Sequence, residues 1–181
     1  ALLFAAEDGA TVQIYRIDAG DGSWEIITGG VYNHDGGLDI TPDGTTLVYG
    51  RRNFNAPTEI YAQPAKKDAR PIALTQANGE VLSRIRPATF EERWITSTDG
   101  KKVQTWVVYP PDFDPSKKYP LITYCQGGPQ STVSQFFSFA WNFLLYASKG
   151  YVVVAPNRRG LPGFGQEWND AISQDWGGMP M

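Results

Sequence analysis

The chain has 181 residues, room for one ordinary domain or parts of two. Hydrophobic residues make up 41% and charged residues 19%, so a core can be buried and disorder by composition is excluded. Sixteen Lys and Arg against nineteen Asp and Glu leave a net charge of −3 with no local basic run, which excludes a nucleic-acid footprint.

A single Cys rules out a disulfide framework or a thiolate zinc cluster, and a single His limits imidazole chemistry to one site. The longest apolar stretch, 136–147, is broken by Ser138 and Asn142 and is too short to span a bilayer. The chain opens on Ala1, with no Met and no signal-peptide pattern, and residues 1–4 read as the inside of a strand. It closes on Gly177-Gly178-Met179-Pro180-Met181 without a cap or closing strand, so the expectation is a piece of a longer protein.

Residues 1–90 read as all-β. Short β-rich runs at 11–17, 24–28, 45–49 and 58–62 are separated by the turn clusters Asp21-Gly22, Asp35-Gly36-Gly37 and Pro42-Asp43-Gly44. Ile14-Tyr15 recurs as Ile60-Tyr61, and Ile26-Ile27-Thr28 is echoed by Ala73-Leu74-Thr75, an offset of about 46 residues. That period suits a four-stranded propeller blade of roughly 40–50 residues. Two partial copies do not close a ring, so the remaining blades are expected upstream. The alternative is two unrelated meanders that share a Tyr.

From Glu92 the texture changes. Runs at 93–97 and 103–109 flank Asp99-Gly100 and predict a hairpin. A proline-rich loop at 110–115 follows, then a short apolar strand at 121–125 and the glycine loop Gln126-Gly127-Gly128-Pro129-Gln130. Ser131 or Thr132 is then expected to cap a helix running to about Lys149, with Phe136, Phe137, Ala140, Phe143, Leu144 and Ala147 on one apolar face and Gly150 as its stop. Residues 151–155 read as a buried strand of a parallel sheet. Hairpin, strand, glycine loop, helix and strand make the opening of an α/β sheet, with the domain boundary between Ser83 and Glu92.

A glycine loop between a strand and a helix serves either to cradle phosphate or to stabilise an oxyanion. Gln126-Gly127-Gly128-Pro129 matches neither phosphate fingerprint, and Pro129 removes an N–H that a cradle would use. The chain order favours the second use: two glycines let the backbone approach a substrate carbonyl, and a polar side chain before them aims a donor at it.

Lys118-Tyr119-Pro120-Leu121 followed by Gln126-Gly127-Gly128-Pro129 resembles the start of the catalytic domain in the prolyl oligopeptidase family of serine peptidases. Residues 156–165, Pro-Asn-Arg-Arg-Gly-Leu-Pro-Gly-Phe-Gly, and Asp175-Trp176-Gly177-Gly178 are similar to further motifs of that family, in the dipeptidyl-peptidase V and acylaminoacyl-peptidase branch. The resemblance implies an incomplete β-propeller over 1–85 followed by the first part of an α/β-hydrolase domain over 86–181. It also implies a parent that releases N-terminal dipeptides from short peptides through an acyl-enzyme, with no cofactor or metal. A homodimeric parent and a periplasmic or secreted location rest on the resemblance alone.

Carried over residue by residue, Gln126 stands where many relatives have His or Tyr and becomes a candidate oxyanion donor, with Gly127, Gly128 and Pro129 as its loop. The alternative is that Gln126 only braces that loop. Arg158 and Arg159 are expected to order the floor of the site. No Gly-x-Ser-x-Gly occurs, so the nucleophile is expected beyond Met181, and with it the acid and the His that follow it in this fold. The chain alone is therefore expected to be inactive. The rival readings are an acylaminoacyl-peptidase, an esterase of the same fold, and a non-catalytic propeller-bearing binding protein.

Other conspicuous residues have plainer expectations. His34 is read as a loop histidine and Cys125 as a small hydrophobe at the end of a buried strand. Trp94, Trp106, Trp141, Trp168 and Trp176 are read as packing residues rather than a sugar platform, and Asp112 and Asp114 as a solvated turn rather than a metal site.

Overall fold

A computed structural model of the chain describes residues 1–127 and 130–180. They form two compact units, one of residues Ala1–Ile85 with Ser134–Phe137, the other of Arg86–Val133 with the residues from Ser138 on. Among the described residues no helix is long and apolar enough to cross a membrane.

The first unit contains two open antiparallel sheets. Strands β1 (Leu2–Asp8), β2 (Thr11–Ile17) and β3 (Trp24–Ile26) form one meander; β4 (Leu38–Ile40), β5 (Thr46–Asn53), β6 (Ala56–Pro64) and β7 (Ile72–Ala73) form the other. Side chains alternate along each strand, so apolar residues two apart share the buried face. Ile14, Ile27, Leu47 and Tyr49 make a fully buried cluster, with Leu3, Leu38, Tyr61 and Ala65 packed against it. Burying each such side chain contributes about 1.5–3 kcal/mol before its entropy cost. Tyr49 keeps its hydroxyl satisfied by donating to Gln63 Oε1 at 2.6 Å.

The two meanders repeat one hydrogen-bonding arrangement. In the first, Ile27 N donates to Ile14 O at 2.8 Å, while Thr28 Oγ1 accepts from Ile14 N at 2.9 Å and donates to Gln13 Oε1 at 2.8 Å. In the second, Leu74 N donates to Ile60 O at 2.8 Å, Thr75 Oγ1 accepts from Ile60 N at 2.9 Å, and its hydroxyl donates to Glu59 Oε2. Each threonine ends a short outer strand by substituting its hydroxyl for a ladder carbonyl. The internal repeat of the sequence is thus a repeat of structure. Neither sheet closes into a ring among the described residues.

Between the meanders Asn33 exchanges two backbone hydrogen bonds with Arg52, at 2.9 and 3.0 Å. His34 follows in a loop, 2% exposed, with its backbone N and its Nδ1 each 2.9 Å from Val12 O. A carbonyl only accepts, so Nδ1 carries the ring proton. Desolvation is the main cause holding this imidazole well below its usual range, at about 4.

The second unit is a four-stranded mixed sheet in the order β10-β11-β9-β8, with β8 (Thr89–Thr96), β9 (Lys102–Tyr109), β10 (Leu121–Thr123) and β11 (Val152–Pro156). The hairpin β8–β9 closes at Asp99-Gly100, where Gly100 takes φ +83° as the turn requires. β11 runs antiparallel to β9 but parallel to β10, so a crossover joins β10 to β11. The sheet is therefore mixed, with the expected hairpin antiparallel and the strand at 152–156 parallel to β10, as the sequence suggests. The pairs Val108–Val153 and Trp106–Ala155 are almost wholly buried.

The crossover helix is far shorter than its periodicity suggests. Helix α2 spans only Phe143–Ser148, capped by Asn142, whose side chain accepts from Leu144 N at 2.8 Å. Residues 131–142 are irregular because side chains elsewhere claim their backbone: Asn157 Oδ1 takes Val133 N at 2.8 Å and Asn33 Oδ1 takes Gln135 N at 3.1 Å. Val133, Ser134 and Gln135 are buried in this non-helical conformation. Local propensity yields here to tertiary hydrogen bonds. Two short helices complete the described chain, α1 (Gly79–Leu82) and α3 (Gln166–Asp170).

Candidate active site

The site is assembled from the two loops that leave the C-terminal ends of the parallel strands, the place where α/β sheets collect ligands. After β10 the chain turns away through Tyr124, Cys125, Gln126 and Gly127. After β11 it runs through Asn157, Arg158, Arg159 and Gly160. Tyr124, Cys125, Gln126, Arg158, Arg159 and Trp176 line a cleft of about 530 Å³ in the second unit.

Gln126 is half-buried in this cleft. Its amide nitrogen donates to Gly127 O and to Ser131 Oγ, while its Oε1 is buried with no partner among the described residues. Both amide N–H groups therefore serve the loop, and one must be released before the side chain can donate to an oxyanion. Space above Gly127 is open. Gly128 and Pro129, the other two candidate loop residues, lie outside the described residues.

Cys125 is exposed, not buried. β10 ends at Thr123 and is the edge strand of the sheet, so the position beyond it faces the cleft.

The loop after β11 is tied down by several contacts. Arg159 is paired with Asp99, donates to Met179 O at 3.1 Å and sits 5.5 Å from the centre of the Trp168 ring. Hydrogen bonds from the Ser97 hydroxyl first, then from Lys101 N and Arg159, hold the Asp99 carboxyl at about 2. Trp168 Nε1 donates to Arg158 O at 3.0 Å, and Gly160 N donates to Trp168 O at 2.7 Å. Gly160 adopts φ +91° with Ile172 so close that a Cβ would lie 2.5 Å from Ile172 Cβ. Asp175 of the Asp-Trp-Gly-Gly stretch accepts from Met179 N at 2.9 Å and ties down the turn.

Of the five tryptophans read as packing residues, Trp106 is buried, whereas Trp94, Trp141 and Trp176 are 53–67% exposed. Trp94 meets Phe164 edge-on, with 6.1 Å between ring centres, and is still mostly open. Aromatic content alone does not record how much of each ring is covered. Asp114 accepts from Ser116 N at 3.0 Å, and Asp112 pairs with Arg86, as a solvated turn does. Among the described residues no three His, Cys, Asp or Glu are grouped to hold a metal. Sequence reading overlooks the buried amide cluster of Gln104 and Asn157 beneath the site; the available signal is an Asn directly after a β-branched strand.

Residues 137–181 match the prolyl oligopeptidase family. Over 180 residues the chain is 44% identical to "Dipeptidyl-peptidase 5" of Porphyromonas gingivalis, an alignment covering 99% of this chain and 26% of that protein. By both comparisons the chain is similar to the prolyl oligopeptidase family. A second relative in that group is "Probable dipeptidyl-peptidase 5" of Aspergillus terreus, 38% identical over 186 residues, or 99% of this chain and 25% of that one. The chain thus spans about a quarter of the length of the curated relatives it matches. The fold is similar to that of the acylaminoacyl peptidase of Pyrococcus horikoshii, with a TM-score of 0.77 and 24% identity over 94% of this chain and 25% of that one.

Proposed function

We propose that the chain is part of a serine exopeptidase that releases N-terminal dipeptides from short peptides. On this reading the two meanders are blades of a β-propeller and the mixed sheet begins an α/β-hydrolase domain, with the division near residue 86. The observation that carries it is the 44% identity to a dipeptidyl-peptidase along essentially the whole chain. The geometry supports it: a strand, a glycine loop and a crossover to a parallel neighbour are what an acyl-transfer site uses to present donors. Catalysis needs a Ser activated by His and an acid, contributed by parts of the protein outside these residues, attacking a peptide carbonyl to form an acyl-enzyme. Gln126 and the Gly127–Pro129 loop take the oxyanion side of that reaction, Gln126 by releasing one of its loop hydrogen bonds.

The test is a fluorophosphonate probe on a protein that carries this chain at the length of its relatives. The expected result is a label on a Ser in a Gly-x-Ser-x-Gly elbow, with dipeptide release blocked. Gln126→Ala is expected to lower kcat by about 10²–10³-fold if the side chain donates, since one lost oxyanion donor costs about that much. A folded protein that takes no label sinks the reading and leaves a binding role. The fold likeness to an acylaminoacyl peptidase favours one second reading, separated by whether free or N-acetylated peptides are cleaved.

A further inference from the structure

We infer that Asn157 is a positioning residue for the oxyanion loop, holding the peptide of Val133 and so the stretch that carries Gln126; this rests on the peptidase reading above. Asn157 is fully buried. Its Oδ1 accepts from Val133 N at 2.8 Å and its Nδ2 donates to Val133 O at 3.0 Å. One side-chain amide therefore holds both polar groups of a single residue, which fixes that residue's orientation as well as its place. Trp106 Nε1, from β9, donates to the same Val133 oxygen at 2.9 Å.

The base of the clamp is fixed too. Asn157 N donates to Gln104 O at 2.8 Å, extending the β11–β9 ladder by one residue, and Asn157 Nδ2 donates to Gln104 Oε1 at 2.5 Å. Two further bonds join the same pair of loops. Thr132 Oγ1 donates to Pro162 O at 2.8 Å, and the Arg158 guanidinium reaches Gln126 O at 3.5 Å. The loop after β11 thus bonds to the chain after β10 at Gln126 and again at Thr132 and Val133. A buried amide is costly unless its partners are in place. Here two of those partners are the backbone atoms of Val133, on the segment that continues from the loop carrying Gln126, and oxyanion binding needs that loop held to a fraction of an ångström.

The test uses full-length protein carrying this chain, with rates expressed per fluorophosphonate-labelled site. Asn157→Asp keeps the shape but loses the Nδ2 donor and sets an acceptor against Val133 O. We expect kcat about 10–100-fold lower, KM within about twofold, and affinity for a dipeptide boronate reduced by the factor lost in kcat, while the free dipeptide binds as before. Thr132→Val, a near-isosteric change that breaks the Pro162 bond, is expected to show the same pattern at several-fold and carries the test if the Asn157→Asp variant fails to fold. A wild type that takes no label overturns the reading and the inference together. A labelled wild type whose variants keep kcat per site and boronate affinity, losing only thermal stability or active fraction, overturns the inference alone.

Discussion

At the residue scale, burial decides chemistry more than residue type does. His34 is legible as a loop histidine, but its burial depends on Val12 and on the ring of Tyr49, 5.3 Å away, which no local pattern records. Its ring titrates at about 4 in the fold and near 6.5 in an unfolded chain, so between those values the unfolded state binds the extra proton. The stabilisation is complete above about pH 6.5 and is lost as pH falls towards 4, up to about 3 kcal/mol. Denaturant melts at pH 7.5 and 4.5 are expected to show this loss in the wild type and not in His34→Gln; equal slopes would remove the role. Gly160 makes a second prediction at this scale. Gly160→Ala forces a strained φ and a clash with Ile172, and should lower stability by about 2 kcal/mol or more. Adding Ile172→Ala should recover none of the backbone strain but should relieve the contact, so the two changes should be non-additive in melts.

At the element scale, strands are readable and the crossover helix is not. Alternation in 11–17 and 103–109 locates β2 and β9 because one face of each is buried. The apolar spacing of 136–147 mimics a helix because Phe136 and Phe143 are both partnered, Phe136 against Phe54 and Phe143 against Tyr124, on separate pieces of backbone. Helix α2 is too short to stand by propensity, so its cap should matter. Asn142→Ala is expected to cost about 1 kcal/mol and to increase amide exchange at Leu144 and Leu145. The repeated threonine arrangement gives a paired test. Thr28→Val and Thr75→Val each remove an acceptor for a strand N–H; Thr28→Val should cost about 1–3 kcal/mol, since Thr28 also anchors the buried Gln13, and Thr75→Val less, because its surroundings are exposed. Equal losses would mean the two meanders are not graded by burial.

At the scale of the whole molecule, unmatched surface is the prominent property. β10 is an edge strand with Leu121 59% exposed, and with Val107, Val152 and Val154 it lines an apolar groove on the sheet face. Unpaired edges and apolar faces associate. The 181-residue chain expressed alone is expected to self-associate and to show weak amide protection at β10. Light scattering giving a monomer with fully protected strands in both units would contradict this. The same chain within a protein of its relatives' length is expected to be protected there, because further chain is available to cover that groove.

Local sequence accounts for the two textures, the turn at Asp99-Gly100, the echo at an offset of about 46 residues and the two glycine-containing loops, since turn residues and alternation act over a few neighbours. It accounts for the family resemblance as well, because the motifs are contiguous runs of residues. Three features have no such local origin: 131–142 is not helical, Cys125 faces a cleft, and Asn157 holds Val133. Most of these are choices between water and a partner distant in the chain, and the free energy of such a choice exists only once the strands have brought the partners together.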